Sequence, residues 1–518
     1  MAFELESFND ASVDAEYLGY LVDQESLDAA IHFNRLWDYF RNEMSPAAGP
    51  AGDSLNANTR PYCQAQEVGL PARITGLART SSGGGEMTDV MRKEVVIEND
   101  IAWRIHTMVE FLFGKPITIT SRAENDDTAR QIERIIAEVL SANGGLSFLQ
   151  EVSLLGSIYG FVDIVLRTPA NWPCPPGQDG QQGAGLPGSN PSLERALKAA
   201  RSIFLETVEA PRVLPILDSD NYRRTRYWVQ RYHRPLPALA DEARPWLSFG
   251  WAGRRDLQPA ESEVVEILSD SWWQRYENRA LVAEGANVLG MLPVVHIQNL
   301  AMPGTYEGAS DVEPLIPLQD ELNTRISDRA CRVTYQSFKM YLGKGVDDFL
   351  DRPVGPGQMW ATNNRDATIE EFGRDEGSPS EDAHIEQIRQ ALDKVSGVTP
   401  LAAGLVRGSV GNLTSATALR VLLSGLVART QRKRLAYGAG LDQLVRLILT
   451  LLDRTGIFRT APSDREINIH WPDPLEEDQT QRLANARIKL ELGVPRQRVL
   501  AELGYDPQAV SGGEDVAE

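Results

Sequence analysis

Cysteine is scarce: Cys63, Cys174 and Cys331 stand far apart with no CxxC between them, a pattern that fits a reducing cytoplasm and not a disulfide framework. The six histidines are as scattered (His32, His106, His233, His296, His384 and His470), so zinc-ligand spacing is missing. Neither GxxxxGK[ST] nor GxSxG occurs, which removes the phosphate cradle and the nucleophile elbow. GAGLPG at 183–188 does match GxGxxG, but no strand precedes it. No apolar run reaches the length of a membrane span, and the first residues, MAFELESFNDASVDAEY, lack a signal-peptide core. The expectation is a soluble protein, away from membranes and made in a cytoplasm. Cations are also in deficit, 52 Lys and Arg against 72 Asp and Glu for a net charge of -20, which argues against a surface that coats nucleic acid. Acidic pairs such as Asp347-Asp348 and Glu370-Glu371 follow no metal or dyad spacing and read as solvated faces. No catalytic residue, cofactor or metal is expected.

What is there is a folded chain of 518 residues, 42% hydrophobic and 24% charged, long enough for about three structural units. Residues 11–43 are helix-rich, with Leu27, Ile31, Leu36 and Tyr39 at helical spacing. A helix from Val96 to Leu112 is stopped by Gly114, Lys115 and Pro116, and ITIT at 117–120 follows as a strand. Residues 128–155 read as helix, GFVDIVLRT (160–168) as strand, and the Gly/Pro/Gln-rich segment 171–192 as a surface loop. RVLPILD (212–218), RRTRYWVQRYHR (223–234), EVVEILSDSWWQRYE (263–277) and PVVHIQN (293–299) read as strands, mostly antiparallel, because no helix-length crossover separates most of them. Trp228 and Trp272-Trp273 on these strands suit base stacking, core packing or a subunit contact.

The pattern changes after residue 302. Ser310 with Glu313 suggests a capping box, and a helix of about 26 residues, roughly 39 Å, carries Leu318, Leu322, Ile326, Tyr335, Phe338 and Leu342 near one face. Gly343 to Gly377 form an irregular module with a short strand or two. A second helix has Ser378 as N-cap, Pro379 at its first position and Glu381 behind, then Ile385, Ile388, Leu392 and Val395 on one face and Gly397 past its end. A third runs from Thr414 to Arg454, with Gly425, Gly438 and Gly440 as possible kink points. INIH (467–470) reads as a strand, and QTQRLANARIKLELG and PRQRVLAELG as a short helical pair.

Between the second and third helices the acid disappears. The 48 residues separating Asp393 from Asp442 contain no Asp or Glu, where the chain average of 72 in 518 would place six or seven. They hold seven cations: Lys394, Arg407, Arg420, Arg429, Arg432, Lys433 and Arg434. The cluster Arg429, Arg432, Lys433 and Arg434 suits one side of subunit-subunit salt bridges. The loop itself, GVTPLAAGLVRGSVGN, joins flexible Gly404, Gly408 and Gly411 to apolar Leu401, Leu405, Val406 and Val410, with Ser409 and the single cation Arg407 at its centre. Such a loop either meets a partner surface or packs as a buried connector.

Taken in order, these pieces resemble the portal proteins of tailed bacteriophages. The likeness rests on Asn99 with FLFGKPITIT, on GSIYGFVDIVL (156–166), on MPGTYEGASDVEPLIPLQDELNTRISDRA (302–330) and on GNLTSATALR (411–420), where Ala416 replaces a usual glycine. The resemblance implies a helix-rich α+β subunit of a ring, usually twelve copies, around a channel for double-stranded DNA. It divides the chain into a wing (1–310 and 456–474), stem helices (311–342 and 378–397) and a clip (343–377). A tunnel loop (398–412), a long helix (413–455) and a short crown with a C-terminal tail (475–518) complete it. Leu401, Leu405, Val406, Arg407, Ser409 and Val410 would face DNA, and Arg352, Arg365 and Arg374 would meet a clip partner or form clip-to-clip ion pairs. The implied partners are the terminase large subunit, the major capsid protein, a scaffolding protein and a head-to-tail adaptor, at the portal vertex of a virion. The alternatives are another virion structural or adaptor protein and a DNA-packaging enzyme component.

Overall fold

The computed structural model describes residues 15–42, 45–46, 61–62, 96–168, 191–218, 220–221, 224–235, 261–337, 340–344, 366, 368–372, 379–404, 421–474, 479–494, 496 and 499. Helix α1 (Ala15–Arg41) buries Val22, Phe33, Leu36, Tyr39 and Phe40. Ile31, expected on that face, is 49% exposed, because the helix turns Phe33 and Leu36 inward instead.

The expected helix from Val96 begins only at Ala102, as α2 (Ala102–Phe113), and residues 96–99 are extended. Asn99 marks the change: its Oδ1 accepts from the Ala102 amide at 3.0 Å while its Nδ2 donates to the Phe40 carbonyl. The single helix expected over 128–155 is two, α3 (Asp126–Ala142) and α4 (Leu146–Tyr159). Asn125 caps α3 by accepting from the Asp127 and Thr128 amides. Gly144 and Gly145, at φ +100 and +59, turn the chain between the two helices. A helix α5 (Pro191–Ala200) occupies the last residues of the expected surface loop and continues beyond them.

Strands β1 (Thr118–Ser121), β2 (Phe161–Arg167), β3 (Phe204–Val208), β4 (Val213–Leu217) and β5 (Thr225–Pro235) follow in order. EVVEILSDSWWQRYE proves to be a hairpin of two strands, β6 (Glu261–Leu268) and β7 (Trp272–Glu277). Its turn is built by Ser269, whose Oγ accepts from the Trp272 amide at 2.9 Å. Strands β8 (Ala280–Ala286) and β9 (Val294–Gln298) complete this half. A five-stranded meander runs β8-β7-β6-β5-β4 and a three-stranded sheet runs β9-β2-β3, both antiparallel as expected. Trp228 is fully buried and donates from Nε1 to Asp163 at 2.7 Å, which makes it a core residue.

Helix α6 (Ile316–Ser337) ends before Leu342, which lies in β10 (Met340–Lys344). That strand pairs antiparallel with β11 (Thr368–Phe372), so the β-branched and aromatic residues there prefer a ladder to a longer helix. Helix α7 (Pro379–Ser396) matches its expected start and stop, and buries Ile385, Ile388 and Leu392. Val395 is 39% exposed instead of joining that face. Ser378 lies outside the described residues.

Helix α8 (Ser424–Arg454) runs unbroken through Gly425, Gly438 and Gly440 for about 46 Å. Gly440 is needed for close packing, since a Cβ there would overlap Ile297 on β9. By length and composition α8 could cross a membrane, yet 61% of its most apolar window is buried in the fold, as befits a core helix. Strand β12 (Ile467–His470) pairs with β1, and α9 (Gln479–Glu491) follows.

One hydrophobic core joins α4, the three-stranded sheet and the second half of α8. Gly160, at φ +93, ends α4 so close to the Gly308 carbonyl that any side chain would collide with backbone. That contact fixes the approach to residues 309–312.

Candidate functional site

Among the described residues the acid-free window covers the end of α7, residues 397–404 and the first half of α8. Gly397 ends α7 with φ +70, and its amide donates to the Asp393 carbonyl at 2.9 Å. After it a single tight turn, Pro400–Ala403, closes on Gly404 at φ +75. The returning chain brings Gly425 against Gly397, so that a Cβ on Gly397 would meet the Gly425 carbonyl carbon at 3.8 Å. The intervening segment therefore has a closed base. Leu401 sits half-buried at that base. Leu405, Val406, Arg407, Ser409 and Val410 lie outside the described residues, as do Arg352, Arg365 and Arg374 and the whole of GNLTSATALR.

Two buried ionic centres hold the base. The first is Arg104 on α2, fully buried. Its Nη1 donates to Asp393 at 2.6 Å and to the Val398 carbonyl at 2.6 Å, its Nη2 to Asp100 at 2.9 Å, and its Nε to the Asp100 carbonyl at 3.1 Å. The planar fork of guanidinium suits such a junction of carboxylates and carbonyls better than an ammonium would. The sequence held one signal for it, a lone cation within the apolar run AWRIHTMVEFLF.

The second centre is Asp311. Its Oδ2 accepts from Lys433 Nζ at 2.5 Å and from Asn299 Nδ2 at 2.9 Å, and its Oδ1 accepts from Arg429 Nη2 at 2.5 Å and Nε at 3.0 Å. Lys433 also donates to Ser157 Oγ at 2.8 Å, and Tyr437 donates to Asn299. Arg429 continues to the Val395 and Ser396 carbonyls, both at 3.2 Å, closing the C-terminal end of α7. Next to Asp311, Ser310 Oγ accepts from the Val312 and Glu313 amides, so the Ser310 half of the expected capping box is present and leads through a short turn into α6, while the Glu313 carboxylate lies near His32.

These contacts correct one expectation. Lys433 is buried against Asp311 inside its own subunit, and Arg429 pairs with the same carboxylate, so neither is a simple inter-subunit bridge. Arg434 likewise donates to the Pro472 carbonyl at 2.6 Å and lies over Trp471. Arg432 is exposed. Burial alone would push the Asp311 carboxyl up, but Lys433, Arg429 and the hydrogen bonds from Lys433 and Asn299 outweigh it and hold the carboxyl below its usual range.

Two other features invite a chemical reading. Asp163 accepts from Trp228 and Tyr306 at 2.7 Å each and faces His296 Nδ1 at 2.7 Å, but His296 Nε2 faces the Tyr306 carbonyl, so this acid-imidazole pair is spent on the fold. A cleft of about 1380 Å³ beside β9 and α8 is lined by Arg224, Arg446 and Arg465 among others. Each of these meets a carboxylate of its own chain: Asp270, Asp442 and Asp453. Among the described residues no cluster of His, Cys, Asp and Glu could hold a metal ion.

Residues 269–509, just under half of the chain, match the family described as phage portal protein, SPP1 Gp6-like. Proteins of that family are structural and not enzymes. No curated protein matches the sequence. Among solved structures, a chain of "Virion of native gene transfer agent (GTA) particle" is 10% identical, with 78% of this chain and 90% of that chain covered and a TM-score of 0.40. A chain of "Neck of empty GTA particle computed with C6 symmetry" is 12% identical, with 84% of this chain and 99% of that chain covered and a TM-score of 0.45.

Proposed function

We propose, since residues 269–509 match the phage portal family, that this chain is one subunit of a ring at a single capsid vertex, through which double-stranded DNA enters and leaves. Twelve copies of 57.3 kDa make a ring of about 690 kDa. The observation that supports the reading is the closed base of the acid-free segment, which falls inside the matched region and between α7, the second helix of the stem on this reading, and α8. On this reading α6 and α7 are the stem and α8 the long helix behind the loop. The β10-β11 hairpin belongs to the clip, which therefore starts slightly earlier than residue 343.

The charge distribution suits a conduit. Each Lys or Arg bound to phosphate releases counterions and adds affinity that a moving duplex must break again at the next step. A subunit of net charge -20, repeated around a ring, repels the duplex instead. The cations of the acid-free window are partly spent at its base, on Asp311, which leaves Arg407 as the cation at the centre of the loop. Capsid protein, scaffold, terminase and adaptor would dock on the outer surfaces, with Arg352, Arg365 and Arg374 on the clip. Negative-stain microscopy of the purified protein tests the reading: it predicts rings with a central hole, whereas monomers or closed shells would overturn it.

A further inference from the structure

Residues 96–99 and the turn at Asp100 run beside α6 and are held as a strand is held by its neighbour, except that the partners are side chains. Ser327 Oγ accepts from the Val96 amide at 2.9 Å, and Asn323 Oδ1 from the Glu98 amide at 3.0 Å. Gln319 donates to the Glu98 carbonyl at 2.6 Å and accepts from the Asp100 amide at 3.3 Å. Geometry explains the spacing. Four residues of helix rise about 6 Å and two residues of strand about 6.6 Å, so positions 319, 323 and 327 meet amides 100, 98 and 96 rung by rung. All three side chains are buried.

The same short segment reaches α7 and the loop. Glu98 accepts from Arg389 on α7 at 2.8 Å. Asp100 accepts from Arg104, whose other nitrogen grips Asp393 and the Val398 carbonyl. We infer that residues 96–104 form a strap that locks α6, α7 and the base of the loop into one rigid body, with Arg104 as the residue that positions the loop. Residues 397–404 are then held to the body of the fold. The inference rests on the portal reading only in calling this a channel loop.

Hydrogen exchange on the assembled full-length protein tests it, comparing the native chain with Asn323→Leu, which keeps the helix but removes the central rung. Losing these bonds should speed exchange about tenfold at residues 96–100 and, if the strap transmits, by a similar factor at the hydrogen-bonded amides of Gly397, Val398, Ala402 and Gly404. Faster exchange at 96–100 with 397–404 unchanged would overturn the inference, as would no change at either segment. Should Asn323→Leu fail to assemble, Ser327→Ala removes one rung and should give the same pattern at about threefold. DNA retention, measured separately in assembled particles, reads the conduit proposal: unchanged retention beside coupled exchange would count against the conduit and leave the strap standing.

Discussion

Asp311→Ala should cost about 3–5 kcal/mol of unfolding free energy, because it strands a buried lysine and leaves a half-buried arginine without its carboxylate. Lys433 is 2% exposed at its side chain and has Asp311 as its ionic partner at 2.5 Å, while Arg429 reaches the same carboxylate from the other side. Removing the acid also takes one acceptor from Asn299, which keeps the Ala309 carbonyl and Tyr437, and loosens the link between α8 and the start of α6. Lys433→Met should cost less, since Asp311 would keep Arg429 and Asn299. Denaturant titration of the two variants checks the order.

The pH dependence follows from the same group. Because the folded carboxyl titrates below its unfolded value, its stabilisation is complete above the ordinary aspartate range and is lost as pH falls through the lower, folded value. The native chain should therefore hold its Asp311 contribution across neutral pH and lose it progressively as pH falls from the ordinary aspartate range toward the lower, folded value. Burial pulls the Lys433 ammonium down against the attraction of Asp311. The carboxylate faces two cations and an amide, an arrangement that favours its ionised form.

Shortening Leu401 to Val410 should leave ring assembly intact and reduce stable DNA packaging or retention at least tenfold. The expectation follows from the closed base: α7 and α8 are already joined by Gly397 against Gly425 and by Arg429 on the α7 carbonyls, so bridging them with fewer residues need not disturb either helix. Gel filtration gives the assembly state and nuclease protection of particle DNA gives retention. A protein that fails to fold would favour the buried-connector alternative. Arg407→Ala should act mildly, because one cation per subunit touches the duplex only transiently on this reading.

Local grammar carried much of the fold. Helix α7 was legible because Pro379 opens it, its apolar residues recur at helical spacing and Gly397 closes it. The strands of the two larger sheets were legible where β-branched and aromatic residues cluster. Two boundaries were missed although their signals stood in the chain: Ser-Asp-Ser at 269–271 turns one apparent strand into a hairpin, and Gly144-Gly145 divides one apparent helix. In both places the apolar residues on either side form one continuous pattern in the sequence.

The site was legible only in part, for a different reason. The deficit of acid around the loop could be counted, but nothing local tells whether Lys433 meets a neighbour or its own Asp311, 122 residues earlier. The strap is further from reach. Gln319, Asn323 and Ser327 read as ordinary polar positions on a helix until amides more than 200 residues away arrive to pair with them. Long-range polar pairing leaves no periodic trace in the sequence, whereas burial does.

The central proposal is that the Gly397–Gly425 junction, at the base of the proposed tunnel loop 398–412, lies on the wall of a channel that DNA traverses. A map of the assembled ring with double-stranded DNA inside it tests this most directly. The account predicts that the Gly397–Gly425 junction lies on the channel wall and that the segment it closes is the part of the subunit nearest the duplex. A ring in which that junction faces the outer rim, or in which another segment lines the narrowest passage, would contradict it.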